Sequence, residues 1–139
     1  MFQHILVPTD FSKSHISALE IATSLATKFA GVIHLLHVVE IISDTTFEEY
    51  EEFYSKLEKR AQRMMKARIG SYGGKGVQIV PSIIYGNRVQ EILKFIDEYK
   101  IDLIIMNSHK VERKNPVQSW GTISYKVALL TDCPIMLVK

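Results

Sequence analysis

Short apolar runs alternate with amphipathic stretches along this chain. Residues 4–7 form a brief apolar run that Pro8 stops, and residues 32–39 form a longer run rich in leucine and β-branched residues. Continuous apolar runs of this length are typical of strands that are buried on both faces. We therefore predict that the first two strands of a covered sheet lie here.

A helix is predicted between these two strands. Its apolar residues recur at helical spacing, and they are Ala18, Ala22, Leu25, Ala26 and Phe29. Ser12 and Ser14 precede them as candidate N-caps, and Gly31 marks the expected stop. The apolar stripe with polar residues around it indicates an amphipathic helix packed on a sheet.

The remainder of the chain repeats this alternation. The predicted elements are a helix over residues 47–69, a strand over 77–84, a helix over 89–99, a strand over 103–106, a helix over 122–130 and a strand over 135–138. In the long helix, the stripe expected to face the core consists of Phe53, Leu57, Ala61 and Met64. The glycines at 70, 73, 74 and 76 end that helix.

This order of elements predicts an α/β fold, a Rossmann-like, doubly wound five-stranded parallel sheet with helices on both faces. In such sheets ligands bind beyond the carboxyl ends of the strands, where the strand order reverses. The residues of interest therefore follow the first and fourth strands. They are Pro8, Thr9 and Asp10, and residues 107–110.

Size, charge and cysteine content narrow the class of protein. The chain has 139 residues and 47% hydrophobic residues, which fits one domain over residues 1–139. Its net charge of +2 comes from scattered basic residues, so a nucleic-acid partner is not expected. The first apolar run is too short for a signal peptide or a membrane span, and Cys133 has no second cysteine to pair with. We expect a cytoplasmic protein with no membrane partner.

Several stretches together resemble the universal stress protein family. They are Ile5-Leu6-Val7-Pro8-Thr9-Asp10-Phe11-Ser12, Leu35-Leu36-His37-Val38-Val39, Ile104-Ile105-Met106-Asn107-Ser108-His109 and Cys133-Pro134-Ile135-Met136-Leu137-Val138. The resemblance spans essentially the whole chain. It implies an adenine nucleotide alpha hydrolase-like fold and a homodimeric stress-response protein, which in one branch of the family binds ATP.

The glycine pattern of that ATP-binding branch is broken here. The branch has a Gly-x-x-Gly turn after the fourth strand and, nine residues later, Gly-Ser or Gly-Thr at the start of the last helix. Glycines let the backbone approach phosphates, and a helix N-terminus favours anions. Asn107 and Lys110 replace both turn glycines, and ten residues separate Lys110 from Gly121 and Thr122. Asn tolerates a positive φ, whereas Lys110 there costs roughly 1–2 kcal/mol, about tenfold in affinity.

The basic side chains after the fourth strand allow two interpretations. Lys110, Arg113 and Lys114 offer cations to a phosphate chain, in place of a backbone cradle. Alternatively, they belong to a solvated polar loop whose charge Glu112 and Asn115 dilute. Asp10 has two interpretations as well. It resembles the family residue that faces the adenosine, and it is also suited to cap the first helix.

The resemblance extends to Val38, which is similar to a family residue that lines the adenine pocket. The predicted nucleotide-binding residues are Pro8, Thr9, Asp10, Val38, Met106, Asn107, Ser108, Lys110, Gly121 and Thr122. ATP or another adenine nucleotide is the expected ligand, bound weakly or not at all.

Other candidate sites find no support in the spacing. His34 and His37 are three residues apart in a strand and therefore point to opposite faces, and His109 has no neighbouring ligand residue, so no metal is expected. The run Gly73-Gly74-Lys75-Gly76 follows a helix and precedes a strand, the reverse of a P-loop. Trp120 either covers the ligand or packs against the sheet edge.

The last strand is the expected dimer interface. Pro134, Ile135, Met136, Leu137 and Val138 are apolar toward both faces, and the implied strand order puts them at a sheet edge. Three classes of function stay open: a dimeric regulatory protein of the stress-protein type, whose ATP binding is weak or absent unless it is an ATP-binding stress protein; a slow ATP hydrolase or nucleotidyl-transferring enzyme; and a dimeric interaction module that binds no nucleotide. Hydrolysis is the least supported, because Asp10 is the one candidate catalytic group.

Overall fold

The computed structural model describes residues 1–12, 16–42, 44, 46, 48–72, 76–108, 114 and 122–139. Its strands are β1 (His4–Pro8), β2 (Val32–Glu40), β3 (Gln78–Gly86), β4 (Leu103–Asn107) and β5 (Ile135–Val138). Its helices are α1 (Ile16–Phe29), α2 (Glu51–Gly70), α3 (Arg88–Glu98) and α4 (Ile123–Leu130). Strands and helices alternate along the chain as the sequence pattern predicts.

The five strands form one sheet in the order β3-β2-β1-β4-β5, and every pairing is parallel. Side chains of α1 and α2 pack on one face, with Ile5 and Val7 of β1 at the centre. Side chains of α3 and α4 pack on the other face, against Leu6 and Ile104. The predicted doubly wound α/β fold is confirmed.

The end of α1 has a different cause from the one predicted. The left-handed residue is Ala30, with a φ of 55°, and the amide of Gly31 donates to the carbonyl of Ala26 at 3.0 Å. Gly31 is needed for another reason, because a Cβ atom there would lie 2.4 Å from the carbonyl oxygen of Phe2. The glycine therefore allows the N-terminal segment to pass close to the backbone.

The predicted start of the long helix at residue 47 is wrong. α2 begins at Glu51, because Tyr50 has non-helical backbone angles of −127° and 32°. Before it, the Thr46 hydroxyl accepts a hydrogen bond from the amide of Glu49 at 3.2 Å. A local side-chain bond of this kind competes with helical pairing and favours a turn. Phe47 lies outside the described residues.

The buried face of α2 is rotated from the predicted stripe. Tyr54 and Met65 are buried with Ala61, whereas Phe53 is 46% exposed. The Tyr54 hydroxyl accepts a hydrogen bond from the amide of Ile42 at 2.9 Å. A phenylalanine offers no such acceptor, so the helix places the tyrosine against the β2–α2 connection.

The remaining boundaries agree with prediction to within two residues, and β5 matches it at both ends. β3 extends to Gly86 because its pairing with β2 continues through Glu40. α3 begins one residue early, since the Asn87 side chain accepts a hydrogen bond from the amide of Gln90 at 3.1 Å and caps the helix.

His34 and His37 point to opposite faces of β2, as predicted. His34 packs among Phe95 and Tyr99 on the α3 side, and its Nε2 lies 3.2 Å from Nδ1 of His4. Burial lowers the pKa of His34, and the neighbouring His4 lowers it further. Both features describe a neutral histidine within a packed cluster.

Candidate functional site

The strand order reverses between β1 and β4. From β1 the chain moves outward through β2 to β3, and it then crosses to β4 and β5 on the other side. The connections that leave β1 and β4 therefore run in opposite directions, and a crevice lies between them at the carboxyl ends of these strands. A cleft of about 290 Å³ lies at this point.

The cleft contains most of the described residues that the sequence singled out. Its described lining is Pro8, Thr9, Asp10, Leu36, Val38, Arg88, Ile92, Met106, Asn107, Thr122, Ile123 and Ser124. Seven of the ten predicted residues are in this set, and Ser108 lies behind it, within 3.4 Å of Ser124. Lys110 and Gly121 lie outside the described residues, as do His109 and Trp120.

One wall of the cleft is apolar. Leu36 and Val38 come from β2 and Met106 from β4, and all three are buried in the same cluster as Ile92 of α3. Leu36 and Val38 are two residues apart in a strand and therefore share a face. This wall suits a flat apolar group such as a nucleobase.

A second wall of the cleft carries hydroxyl groups at the start of α4. Thr122 caps the helix, its Oγ1 accepting from the amide of Tyr125 at 3.3 Å. Ser124 is only 6% exposed, and its Oγ lies 3.4 Å from Oγ of Thr122 and donates to Oγ of Ser108 at 3.4 Å. The Lys139 ammonium donates to the same Ser108 oxygen at 3.3 Å. The hydroxyls of Thr122 and Ser124 and the N-terminus of α4 form a favourable environment for an anion in the cleft, and Ser108 and Lys139 lie behind them.

The loop after β1 is held by hydrogen bonds from several directions. The Thr9 amide donates to the carbonyl of Leu36, and the Thr9 carbonyl accepts from Nδ1 of His37, both at 2.8 Å. The Asp10 Oδ1 accepts from the amide of Ser12 at 2.8 Å, which closes a turn before α1. Asp10 thus lines the cleft, and this bond closes a turn that ends before α1, which begins at Ile16, so it is not a helix cap.

His37 supports this loop from below. Because a carbonyl oxygen only accepts, Nδ1 of His37 carries the proton in its bond to Thr9. Burial lowers the pKa of His37, the bond to Thr9 opposes that shift, Arg88 lowers the pKa and Asp10 raises it. The charges of Arg88 and Asp10 therefore both reach the carboxyl end of β2.

Asn107 does not occupy the conformation expected of a turn glycine. It is the last residue of β4, pairs with Val138 of β5, and is not among the residues with positive φ. Its Oδ1 accepts from the Ser17 hydroxyl at 3.2 Å, and its Nδ2 is buried with no hydrogen-bond partner. Asn107 does not adopt the left-handed backbone expected for it, because it continues β4, and its side chain connects β4 to α1.

Arg88 is the most informative residue that sequence reasoning missed. It opens α3 and lines the cleft, where it and Asp10 are the charged residues of the described lining. The signal was present, because every helix that follows a parallel strand begins at the carboxyl edge of the sheet. The first residue of the helix after the third strand therefore belonged with the residues after the first and fourth strands. Leu36, Ile92, Ile123 and Ser124 were also missed.

Within the described residues, no group of three or more His, Cys, Asp or Glu side chains is placed to hold a metal ion. Over the same part of the chain, none of the helices is long and apolar enough to cross a membrane.

A sequence profile decides the family. The sequence profile described as "Universal stress protein family" matches residues 1–139. The chain belongs to this family. Universal stress protein MJ0577 of Methanocaldococcus jannaschii is 28% identical, over 100% of this chain and 96% of that protein. Universal stress protein YxiE of Bacillus subtilis is 27% identical, with both chains fully covered.

Solved structures agree with the family assignment. The structure of MJ0577 superposes with a TM-score of 0.84 at 29% identity, covering 100% of this chain and 96% of that one. Two further family members with 17% identity share the fold. One is from Archaeoglobus fulgidus in complex with dAMP, and the other is a complex with cAMP, each with a TM-score of 0.71. The first covers 100% of both chains, and the second covers 99% of this chain and 96% of its own.

Proposed function

We propose that this chain is a small regulatory protein of the universal stress protein family, with one domain over residues 1–139. It works in the cytoplasm as a homodimer and takes an adenine nucleotide into the cleft between β1 and β4, binding ATP weakly. The observation that carries the proposal is the pairing, in one cleft, of an apolar wall with a wall of hydroxyls at a helix N-terminus.

The two walls match the two ends of a nucleotide. The buried side chains of Leu36, Val38 and Ile92 suit the base, whereas Thr122 and Ser124 suit the phosphates. The described lining therefore fits the group that the family implies. Family members in complex with cAMP and dAMP support an adenine nucleotide as the ligand class.

Binding is proposed in preference to hydrolysis. Asp10 is the one carboxylate in the described lining of the cleft, and its Oδ1 already accepts a hydrogen bond from the amide of Ser12. A carboxylate engaged in this way is less available as a general base. No observation in the cleft favours the slow ATP hydrolase over a nucleotide-responsive regulator.

Weak ATP binding is proposed from Lys110. Because Asn107 continues β4, the features proposed to weaken ATP binding are Lys110 in place of a turn glycine and the ten residues between Lys110 and Gly121. A lysine in a left-handed conformation costs roughly 1–2 kcal/mol relative to glycine.

Lys110→Gly, combined with removal of one residue from 111–120, is expected to strengthen ATP binding about tenfold over the wild type. Isothermal titration calorimetry at two salt concentrations measures the effect. The control carries the same deletion with Lys110 retained, which separates loop length from backbone strain. If the basic side chains hold the phosphates instead, the glycine variant binds more weakly and added salt weakens the wild type steeply. Tight, salt-insensitive ATP binding by the wild type contradicts the proposed weak binding.

The proposed dimer pairs the two β5 strands. β5 is an edge strand that contacts β4 on one side only, and an unpaired edge favours pairing with a second chain. Met136 of this strand is 38% exposed, and the exposed Leu129 and Leu130 lie at the end of the preceding helix α4. Ile135 and Leu137 pack into the core instead, so the dimer is best tested at Met136.

Met136→Arg is expected to convert the dimer to a monomer at micromolar concentration, because it introduces a like charge on both copies of the interface. Sedimentation velocity measures the species present. Ile42→Arg is the matched control, since Ile42 is 50% exposed and precedes α2, away from β5. A monomeric wild type, or a Met136→Arg variant as dimeric as the Ile42→Arg control, contradicts the proposed interface.

A further inference from the structure

Arg88 occupies a position that the stability of its own helix does not explain. It is the first residue of α3, where the helix dipole is positive and a cation is unfavourable. Its ion pair with Glu40 is long, with 3.9 Å between Nε and Oε2, and both side chains are substantially exposed. Exposed pairs of this kind contribute little to stability. The guanidinium is therefore available to a ligand in the cleft.

The position of Arg88 along the cleft indicates which part of the ligand it meets. Ile92 is one helical turn further on and shares its face of α3, and both residues line the cleft. Ile92 packs with Leu36 and Val38 in the apolar wall, whereas the hydroxyls of Thr122 and Ser124 belong to α4. Arg88 therefore lies one helical turn from a residue of the apolar wall, at the start of a helix that packs beside α4.

The electrostatics of His37 show that the charge of Arg88 reaches β2. Arg88 acts on the pKa of His37 in β2, and so does Asp10 at the end of β1. The guanidinium charge therefore reaches the carboxyl end of β2, which supplies Leu36 and Val38 to the apolar wall.

We propose that Arg88 binds the base of the nucleotide, its planar guanidinium stacking on the purine ring, and so makes the cleft favour purines. The inference rests on the proposed function and adds the residue that recognises the base. A guanidinium is planar, weakly hydrated and suited to aromatic faces, and a purine offers a larger face than a pyrimidine.

Arg88→Gln tests the proposal through two ligands, adenosine and ATP. Because the two ligands carry the same base, the substitution is expected to decrease the affinity for each by the same factor, about five- to tenfold. The ratio of the two affinities is expected to stay unchanged. The measurement is calorimetric titration of each ligand, with cytidine as a pyrimidine probe. The wild type is expected to bind adenosine more tightly than cytidine, and the variant is expected to lose most of that preference.

Two control variants separate ligand contact from structure. Lys94→Gln removes an exposed cation from the same helix, and Glu40→Gln breaks the ion pair while keeping Arg88. Both are expected to bind adenosine as the wild type does. Equal weakening by Glu40→Gln and Arg88→Gln overturns the proposal, because the ion pair then explains the loss.

The remaining outcomes are also decisive. A loss of ATP affinity with unchanged adenosine affinity assigns Arg88 to the phosphates and overturns the proposal. Unchanged binding of both ligands also overturns it. A wild type that binds neither adenosine nor ATP refutes the proposed function itself, which is distinguishable from the failure of Arg88 alone.

Discussion

Replacing Val38 with phenylalanine is expected to abolish nucleotide binding while the protein stays folded. Val38 lies in the apolar wall, and the larger ring would occupy space that the base needs in a cleft of about 290 Å³. A decrease in ATP and adenosine affinity of at least about 100-fold is expected, or about 2.7 kcal/mol. Calorimetric titration measures the affinities.

The control for this variant is Ile84→Phe. Ile84 pairs with Val38 across β2 and β3 and packs against the same core cluster, but it does not line the cleft. Each substitution overpacks the core and is expected to reduce stability by about 1–3 kcal/mol. If a folded Val38→Phe protein still binds ATP and adenosine, the base does not bind against this wall.

Tyr54→Ala is expected to reduce the free energy of unfolding by about 3–5 kcal/mol, the largest effect on stability predicted here. Tyr54 is fully buried between α2 and the sheet, and its hydroxyl accepts the amide of Ile42. Tyr54→Phe keeps the ring and loses this acceptor, so a decrease of about 1 kcal/mol is expected. Urea denaturation of the wild type, Tyr54→Ala and Tyr54→Phe measures the free energies of unfolding.

Phe53→Ala is the matched control for Tyr54→Ala, because the two aromatic residues are adjacent on α2 and differ in burial. Its expected effect is less than about 1 kcal/mol, since the side chain is half exposed. The hydrophobic pattern alone favours the opposite order, with Phe53 in the buried stripe. A larger effect at Phe53 than at Tyr54 would show that the observed face of α2 is wrong.

Asn107 illustrates why a family motif is not enough to assign a backbone conformation. The motif predicts a turn residue after the fourth strand, and the residue type is compatible with a positive φ. In the structure, pairing with Val138 extends β4 through Asn107, and the Ser17 hydroxyl binds its side chain. Both partners are distant in sequence, so no local pattern revealed them.

Arg88 was missed for a related reason. The strand order singles out the residues after the first and fourth strands as candidates for ligand binding, and it leaves out the helix that follows the third strand. That helix reaches the cleft because α3 packs beside α4 on the same face of the sheet. The sequence places the start of α3 at the carboxyl edge of the sheet, but which of its side chains line the cleft depends on how the helices and the sheet pack together.

The sequence by itself determined the alternation of strands and helices, the parallel sheet and the edge at which the cleft lies. These follow from short-range periodicity, from helix-length crossovers and from the rule that parallel strands end at one edge. The tertiary structure alone decided which face of α2 is buried, how Asn107 is held and which side chains from α3 and α4 complete the cleft. Those features depend on contacts between residues far apart in the chain, where a buried hydroxyl or amide must find its partner.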